Sequence, residues 1–229
     1  MFTARFTSMV TGLFLVLLLP SAQSQAAERQ KRIELSKEEL SEAEQRLSDL
    51  GYWTGPVDGL LDKASRQALI AFQKVEGRKR TGRLTSEDFT ALRTAERPTP
   101  RETGAAHFEI DIARQVLFFV DETGTVAKIL PVSTGNGRAY NENGQKGVAH
   151  TPTGTFRVYQ KINGWRRAPL GLLYYPNYIV KGYAIHGSPS VPTFPASHGC
   201  IRIPMFAAAE ISKLAAVGMV VIVYNGASS

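Results

Sequence analysis

The sequence contains a single cysteine, Cys200, among its 229 residues. One cysteine cannot form an intramolecular disulfide, so the disulfide framework of many small secreted domains is excluded. Histidine is also scarce: there are four in the chain, and two of them lie in the stretch 185–204 that contains the cysteine. The chain therefore concentrates its few thiol and imidazole groups in one short segment.

The sequence also lacks an apolar run long enough to span a bilayer, which takes about 20 residues. Its longest run, residues 13–19, follows Arg5 and precedes Pro20 and a small-x-small site at residues 24–26. This order is typical of a secretory signal, and we predict that residues 1–26 are a cleaved signal peptide. The alternative is an uncleaved anchor. We expect an exported protein, in a periplasm or a cell wall, with no stable membrane span after processing.

Acidic residues are outnumbered, with 20 Asp and Glu against 27 Lys and Arg and a net charge of +7. A basic exported protein suits an anionic partner, such as a bacterial cell wall. The basic residues are spread out, with only short clusters such as residues 78–80, and they accompany no nucleic-acid-binding motif. We therefore predict no nucleic-acid partner.

Three short helices are predicted within residues 36–94. Ser36 and Glu39 have capping-box spacing, and apolar residues then recur at helical intervals until Gly51. A second helix is predicted at residues 63–75, and a third begins after a further capping pair. Residues 95–104 contain two prolines and several charged residues, which predicts a linker.

From residue 105 the apolar pattern changes to alternation, and Phe108, Ile110 and Ile112 predict a half-buried strand. Five further strands are predicted at residues 114–121, 126–132, 155–161, 179–185 and 219–224. A long polar loop is predicted at residues 133–147, and one helix at residues 205–215. The chain is thus predicted to be an α+β two-domain protein. A small three-helix N-terminal module is followed by a mainly β, sandwich-like catalytic domain, residues 105–225, with one late helix.

The stretch 185–204 predicts chemistry because a thiol near imidazoles can become a strong nucleophile. His198 is only two residues from Cys200, whereas His186 comes from another strand end and can approach the sulfur freely. We therefore assign Cys200 as nucleophile and His186 as general base, and expect His198 to shape the pocket. The glycine beside each histidine is expected to leave room for a substrate backbone. Arg202 suits a carboxylate, so the pattern predicts acyl transfer on anionic peptides.

Other interpretations of the thiol remain open. His186, His198 and Cys200 could hold zinc, although H-x-C spacing is unusual and no fourth ligand is evident. The lone thiol could instead be a redox group, an intermolecular anchor or an inert buried side chain.

Four ordered motifs carry a resemblance to a known family. The HG pair at residues 186–187 and SHGCIR at 197–202 follow VSTG at 132–135 and TPTGTF at 151–156. Together they resemble the catalytic signature of the L,D-transpeptidase (YkuD-like) family, over residues 107–224. Upstream, residues 38–93 resemble the peptidoglycan-binding domain type 1, through GPVDG and AFQ among other features.

This resemblance implies a β-sandwich with a helix beside the site and an acyl-cysteine intermediate on a peptidoglycan tetrapeptide. It implies that the Gly187 carbonyl orients His186, and that the N–H groups of His198, Gly199 and Cys200 form an oxyanion hole. We expect substrate contacts from Ser197, Arg202 and Tyr183.

The resemblance also implies partners: peptidoglycan stem peptides and glycan, with carbapenem-type β-lactams as inhibitors and no metal or cofactor. An amine acceptor would give a cross-link, whereas water would make the protein an L,D-carboxypeptidase. A non-catalytic peptidoglycan-binding protein with the same fold is the further alternative.

Overall fold

A computed structural model describes residues 35–226, and the predicted signal peptide lies outside these residues. Four helices occur in the described part: α1 (Lys37–Asp49), α2 (Lys63–Val75), α3 (Ser86–Thr94) and α4 (Met205–Leu214). The first strands are β1 (His107–Asp111), β2 (Val116–Val120), β3 (Val126–Pro131), β4 (Ala139–Glu142), β5 (Gln145–Val148) and β6 (Gly154–Arg157). The others are β7 (Gln160–Lys161), β8 (Trp165–Ala168), β9 (Gly171–Val180), β10 (Tyr183–Ser188), β11 (Ile201–Pro204) and β12 (Val220–Tyr224).

The N-terminal helices begin where capping side chains satisfy their first N–H groups. The Glu39 N–H donates to Ser36 Oγ at 3.2 Å, and the Ser36 N–H donates to the Glu39 carboxylate at 2.8 Å. Thr85 caps α3 in the same way. At the other end of α1, Gly51 has φ 92°, the left-handed conformation that ends many helices. The predicted fold class, three helices followed by a mainly β domain with one late helix, is confirmed.

The three-helix module packs directly on the outer face of β2 and β3. One buried cluster joins Leu47 and Phe72 from the helices to the sheet residues Val116, Phe118, Val120, Val126 and Ile129. Backbone hydrogen bonds extend this contact, because the Ile129 N–H donates to Gly51 O at 2.8 Å and the Trp53 N–H to Ile129 O at 3.1 Å. The module thereby covers the open edge of β3, and residues 35–226 lie within one compact unit.

Two five-stranded sheets and α4 enclose the second core. The first sheet has the order β3-β2-β1-β12-β6, with β1 and β12 parallel. The second has the order β11-β10-β9-β7, with β8 also paired to β9, and β10 and β11 are parallel. Phe108, Ile185, Ile201 and Ile211 are fully buried between the sheets and the helix. The HG pair lies in β10, and the SHGCIR motif lies in the loop before β11 and in its first two residues.

Four sequence predictions about this domain are wrong. Strand β1 was predicted to be half-buried, but it is buried on both faces. Glu109, on its polar side, accepts hydrogen bonds from the N–H groups of Arg101 and Glu102. The polar segment 133–147 is not one loop, since it contains β4 and most of β5, which form an exposed hairpin. The strand predicted at 155–161 is two strands, because β6 ends at Arg157 and β7 begins at Gln160. The strand predicted at 179–185 is also two strands, because β9 ends at Val180 and β10 begins at Tyr183.

None of the helices within residues 35–226 combines the length and the apolar character needed to span a bilayer.

Candidate active site

Cys200 and His186 lie on neighbouring parallel elements and face the same cavity. His186 is within β10, and Cys200 immediately precedes β11, whose Arg202 is the register partner of His186. The cavity has a volume of about 750 Å³. Besides the cysteine and histidine, its walls include Tyr140, Trp165, Arg166, Tyr178, Tyr183 and Arg202. This arrangement places a thiol and an imidazole beside a space large enough for a peptide segment.

His186 is held in one orientation by a backbone acceptor. Its Nδ1 lies 2.9 Å from the Gly187 carbonyl oxygen, and only 3% of the residue is exposed. A hydrogen on Nδ1 leaves Nε2 as the proton acceptor of a neutral ring. Burial lowers the pKa of His186 to about 4, with a smaller lowering contribution from Arg202 and an opposing one from the Gly187 carbonyl. His186 is therefore neutral at ordinary pH.

The pKa of the Cys200 thiol shifts in the opposite direction. Burial raises the pKa of its thiol, against smaller lowering contributions from the Ala184 backbone and the Arg202 charge. A raised thiol pKa beside a lowered imidazole pKa gives a neutral pair at rest, not a thiolate–imidazolium ion pair. The sulfur then needs a base during attack, which a neutral His186 can supply.

The loop before Cys200 is fastened by its own side chains. The Ser197 hydroxyl donates to the Cys200 carbonyl at 2.6 Å and accepts the Gly199 N–H at 2.9 Å. The Thr151 hydroxyl donates to the Gly199 carbonyl at 2.7 Å. Ser197 is only 2% exposed and its hydroxyl holds the loop, while the residue also lines the cavity, so the substrate contact predicted for it stays a prediction.

This loop geometry also bears on the predicted oxyanion hole. Of the three expected donors, the Gly199 N–H is occupied by Ser197, and the N–H groups of His198 and Cys200 remain candidates. An oxyanion donor must point at the position where the negative charge develops. The Gly199 N–H donates to Ser197 in this conformation, and its predicted role in an oxyanion hole stays a prediction.

The two glycines beside the histidines serve packing, not substrate access as predicted. A Cβ on Gly187 would lie 2.6 Å from Ala208 Cβ, so Gly187 allows α4 to approach β10 closely. A Cβ on Gly199 would strike the Tyr183 ring and lie 2.8 Å from the His150 carbonyl oxygen. Tyr183 thus fills the space that Gly199 leaves open and also lines the cavity.

Gly199→Ala is expected to cost about 2–5 kcal/mol of unfolding free energy, from left-handed strain plus overpacking. Gly104→Ala is the matched control, because Gly104 has φ 130° against 134° for Gly199 but has nothing within 4 Å of an added Cβ. The control should lose about 1–3 kcal/mol at most. Chemical denaturation of both variants measures the difference, and equal losses would contradict the steric argument.

His198 points toward the exposed hairpin. Its Nε2 lies 3.3 Å from the Glu142 carboxylate, and its ring contacts Tyr140 edge-to-face with centroids 5.0 Å apart. A quarter of its side chain is exposed. His198 thus joins the hairpin to the rim of the cavity, a position consistent with shaping the pocket.

The comparisons with known proteins agree with this geometry. Residues 105–223 match the L,D-transpeptidase catalytic domain (YkuD). The solved L,D-transpeptidase from Xylanimonas cellulosilytica is 39% identical, with 81% of this chain and 93% of that chain covered and a TM-score of 0.77. This chain belongs to the L,D-transpeptidase family.

Further matches extend the comparison. Residues 36–92 of this chain match a putative peptidoglycan-binding domain. An L,D-transpeptidase from Stackebrandtia nassauensis is 19% identical, with 82% of this chain and 91% of that chain covered and a TM-score of 0.48. Another LD transpeptidase, solved in complex with imipenem, is 20% identical, with 52% and 59% covered and a TM-score of 0.42. No curated protein is significantly similar to the chain.

The candidate site contains residues that the sequence did not indicate. Tyr140, Trp165, Arg166 and Tyr178 line the cavity from the hairpin and from β8 and β9. The sequence offered two signals. One was Tyr140 within the glycine-rich polar segment 133–147, and the other was the Trp165-Arg166 pair in a stretch for which no element is predicted. Neither pattern indicates by itself that the segment folds over the cysteine.

The predicted Arg202 also lines this cavity, and it forms no ion pair with another residue of the described part. Its guanidinium is thus available for an anionic ligand. The zinc alternative finds no support, because no cluster of three His, Cys, Asp or Glu side chains within residues 35–226 is arranged to hold a metal.

Proposed function

We propose that this protein is a peptidoglycan L,D-transpeptidase that cross-links stem peptides through an acyl-cysteine intermediate on Cys200. The observation that carries the proposal is that the chain's one thiol and a neutral, oriented His186 line the same peptide-sized cavity. Family membership supports the same chemistry. The second matched region supports peptidoglycan, stem and glycan together, as the partner.

The proposed reaction has two acyl-transfer steps. The Cys200 sulfur attacks the carbonyl carbon of the third stem residue, a diamino acid, while His186 Nε2 takes the thiol proton. The bond to the terminal D-alanine then breaks, and His186 returns the proton to the leaving amine. A thioester remains on the sulfur.

The second step resolves the thioester. The side-chain amine of another stem attacks the thioester carbon and loses its proton to His186. The sulfur departs, recovers that proton, and an amide cross-link is formed. No metal or cofactor enters either step.

The positive charge that lines the cavity supports a negatively charged acyl donor. Arg166, Lys181 and Arg202 all line the cavity, and together they favour the carboxylate of the terminal D-alanine. The net charge of +7 suits an anionic wall in the same way. We further propose that the protein is exported and acts in the periplasm or the cell wall.

A neutral Cys200–His186 pair has a measurable pH dependence. Because the pKa of His186 is lowered to about 4, the base stays unprotonated down to that pH, and kcat/KM should fall only below about pH 5. At alkaline pH no imidazolium is lost, so the rate should not decline as it would for a thiolate–imidazolium pair. The test is a pH profile together with the ultraviolet absorbance of the thiolate, taken as the difference from Cys200→Ala. Thiolate absorbance at neutral pH would contradict the neutral pair.

Product analysis tests the proposed function. The purified protein and Cys200→Ala are incubated with disaccharide-tetrapeptide, and the products are read by mass spectrometry. Dimers that have lost one D-alanine, absent with the variant, are expected for a transpeptidase. Tripeptide alone would assign the carboxypeptidase alternative. No product from natively folded protein would reject this substrate and favour the non-catalytic binding protein.

The carbapenem expectation adds a second readout. The strained ring of a carbapenem resembles an activated acyl donor, so imipenem should add its mass to the protein at Cys200. Cys200→Ala should stay unmodified. A redox or intermolecular thiol would instead give oxidised or dimeric protein that does not react.

A further inference from the structure

A buried lysine of the N-terminal module reaches across to the catalytic part of the chain. Lys74, at the end of α2, is only 1% exposed and has no ion-pair partner among the described residues. Its Nζ donates to the Gln115 carbonyl at 3.0 Å and to the Val132 carbonyl at 2.9 Å. Burial lowers the pKa of Lys74 to about 7, with a smaller lowering contribution from the Arg80 charge. Burying an amine in either protonation state is costly unless it is hydrogen-bonded, and an apolar side chain of similar length would avoid that cost. Its presence therefore suggests a specific role.

The Gln115 carbonyl lies in the turn between β1 and β2, and the Val132 carbonyl directly follows β3. Gln115 has φ 61°, a left-handed conformation that is unfavourable for a residue with a side chain. Its carbonyl accepts from both the Val132 N–H, at 2.9 Å, and Lys74. Lys74 thus holds Gln115 in a conformation that it would not favour alone.

In that conformation the Gln115 side chain holds the next segment. Its Nε2 donates to the Thr134 hydroxyl at 2.6 Å, and its Oε1 accepts the Thr134 N–H at 2.9 Å. The Thr134 carbonyl in turn accepts the N–H groups of Ala196 and Ser197, each at 2.9 Å. Ser197 is the residue whose hydroxyl donates to the Cys200 carbonyl.

These contacts form one continuous path from the module to the nucleophile. Lys74, Gln115, Thr134 and Ser197 are each at most 2% exposed, so water does not compete for their hydrogen bonds. The path crosses from the region that matches a peptidoglycan-binding domain to the region that matches the catalytic domain.

We propose that Lys74 is a positioning residue through which the N-terminal module sets the conformation of the loop that carries Cys200. The module then contributes to the reaction rate as well as to wall binding. This inference rests on the proposed function only for its kinetic consequence.

The first test measures the loop directly. Lys74→Met removes the two donated hydrogen bonds and keeps the length of the side chain, while Lys63→Met, on the exposed start of the same helix, is the matched control. Amide hydrogen exchange at Ala196 and Ser197 should accelerate about tenfold or more in Lys74→Met, with the β1 amides unchanged. Acceleration that is equal throughout the core would mean general destabilisation and would overturn the proposal.

The second test separates rate from binding. In Lys74→Met the maximal rate of Cys200 acylation by imipenem should fall about tenfold, with the imipenem concentration for half-maximal rate unchanged. The loop that carries the sulfur is displaced, whereas the cavity walls contributed by Trp165, Arg166 and Tyr178 stay in place. A change confined to the half-maximal concentration would overturn the positioning role. If the unmodified protein is not acylated at all, the proposed function fails, while the exchange measurement still decides the role of Lys74.

A second variant keeps the proposal testable if Lys74→Met does not fold. Gln115→Asn keeps the backbone carbonyl and tolerates the left-handed conformation, but its shorter side chain cannot hold Thr134 in the same way. It should produce the same exchange signature at Ala196 and Ser197. The double variant should be no worse than the more affected single variant, because both interrupt one path. Fully additive effects would contradict a shared path.

Discussion

Cys200→Ser should lose at least about 10⁴-fold in kcat for cross-link formation while it keeps the native fold. A hydroxyl is far less acidic than a thiol, and burial lowers the pKa of His186 to about 4, which makes it a weak base. Because a hydroxyl has a much higher pKa than a thiol, proton transfer to this weak base is much less favourable from a serine than from a cysteine. The small change in size leaves the loop contacts of residues 197–200 intact.

The measurement is turnover of disaccharide-tetrapeptide by the variant, with thermal unfolding as the check on folding. Cys200→Ala is the control for residual activity from binding alone. Because the chain has no other cysteine, any remaining thiol chemistry would have to come from a contaminant. Activity of Cys200→Ser within about tenfold of the unmodified protein would contradict the role assigned to the sulfur.

A protein shortened to residues 99–229 should not fold to a stable monomer. Removal of the helices exposes a face of β2 and β3 formed by Val116, Phe118, Val120, Val126 and Ile129, each now at most 3% exposed. Burial of one such side chain contributes about 1.5–3 kcal/mol. The burial of five such side chains is therefore comparable with the whole free energy of unfolding of a domain, about 5–15 kcal/mol.

The test compares circular dichroism, thermal unfolding and gel filtration of residues 99–229 with those of residues 27–229. The longer protein keeps every contact described here and is the matched control. Aggregation or loss of cooperative unfolding in the shorter protein is the expected result. A monomer that unfolds cooperatively at an unchanged temperature would show that the helices are independent of the sheet.

Local signals in the sequence were sufficient for much of the fold. Ser36 and Thr85 mark helix starts because their hydroxyls satisfy nearby N–H groups, whatever the rest of the chain does. The motifs around His186 and Cys200 indicated the site because chemistry needs those residue types together. The match to the catalytic domain, residues 105–223, confirms the family that these motifs suggested.

Long-range contacts account for what the sequence did not indicate. Alternation in β1 predicted a solvent face, but residues 101 and 102 cover Glu109 from outside the strand. Gly187 and Gly199 were assigned to substrate access, whereas Ala208 and Tyr183, distant from them in sequence, occupy the space. Lys74 carries no motif, and only the packing of α2 on the sheet brings it to Gln115.

The most direct test of the central claim is the mass of the protein during turnover. The protein is mixed with disaccharide-tetrapeptide, quenched in acid after short intervals, digested, and analysed by mass spectrometry. We predict a transient adduct equal to the donor minus one D-alanine, confined to the peptide that contains Cys200. Cross-linked product formed without any such adduct, or an adduct that persists in Cys200→Ala, would contradict an acyl-cysteine mechanism.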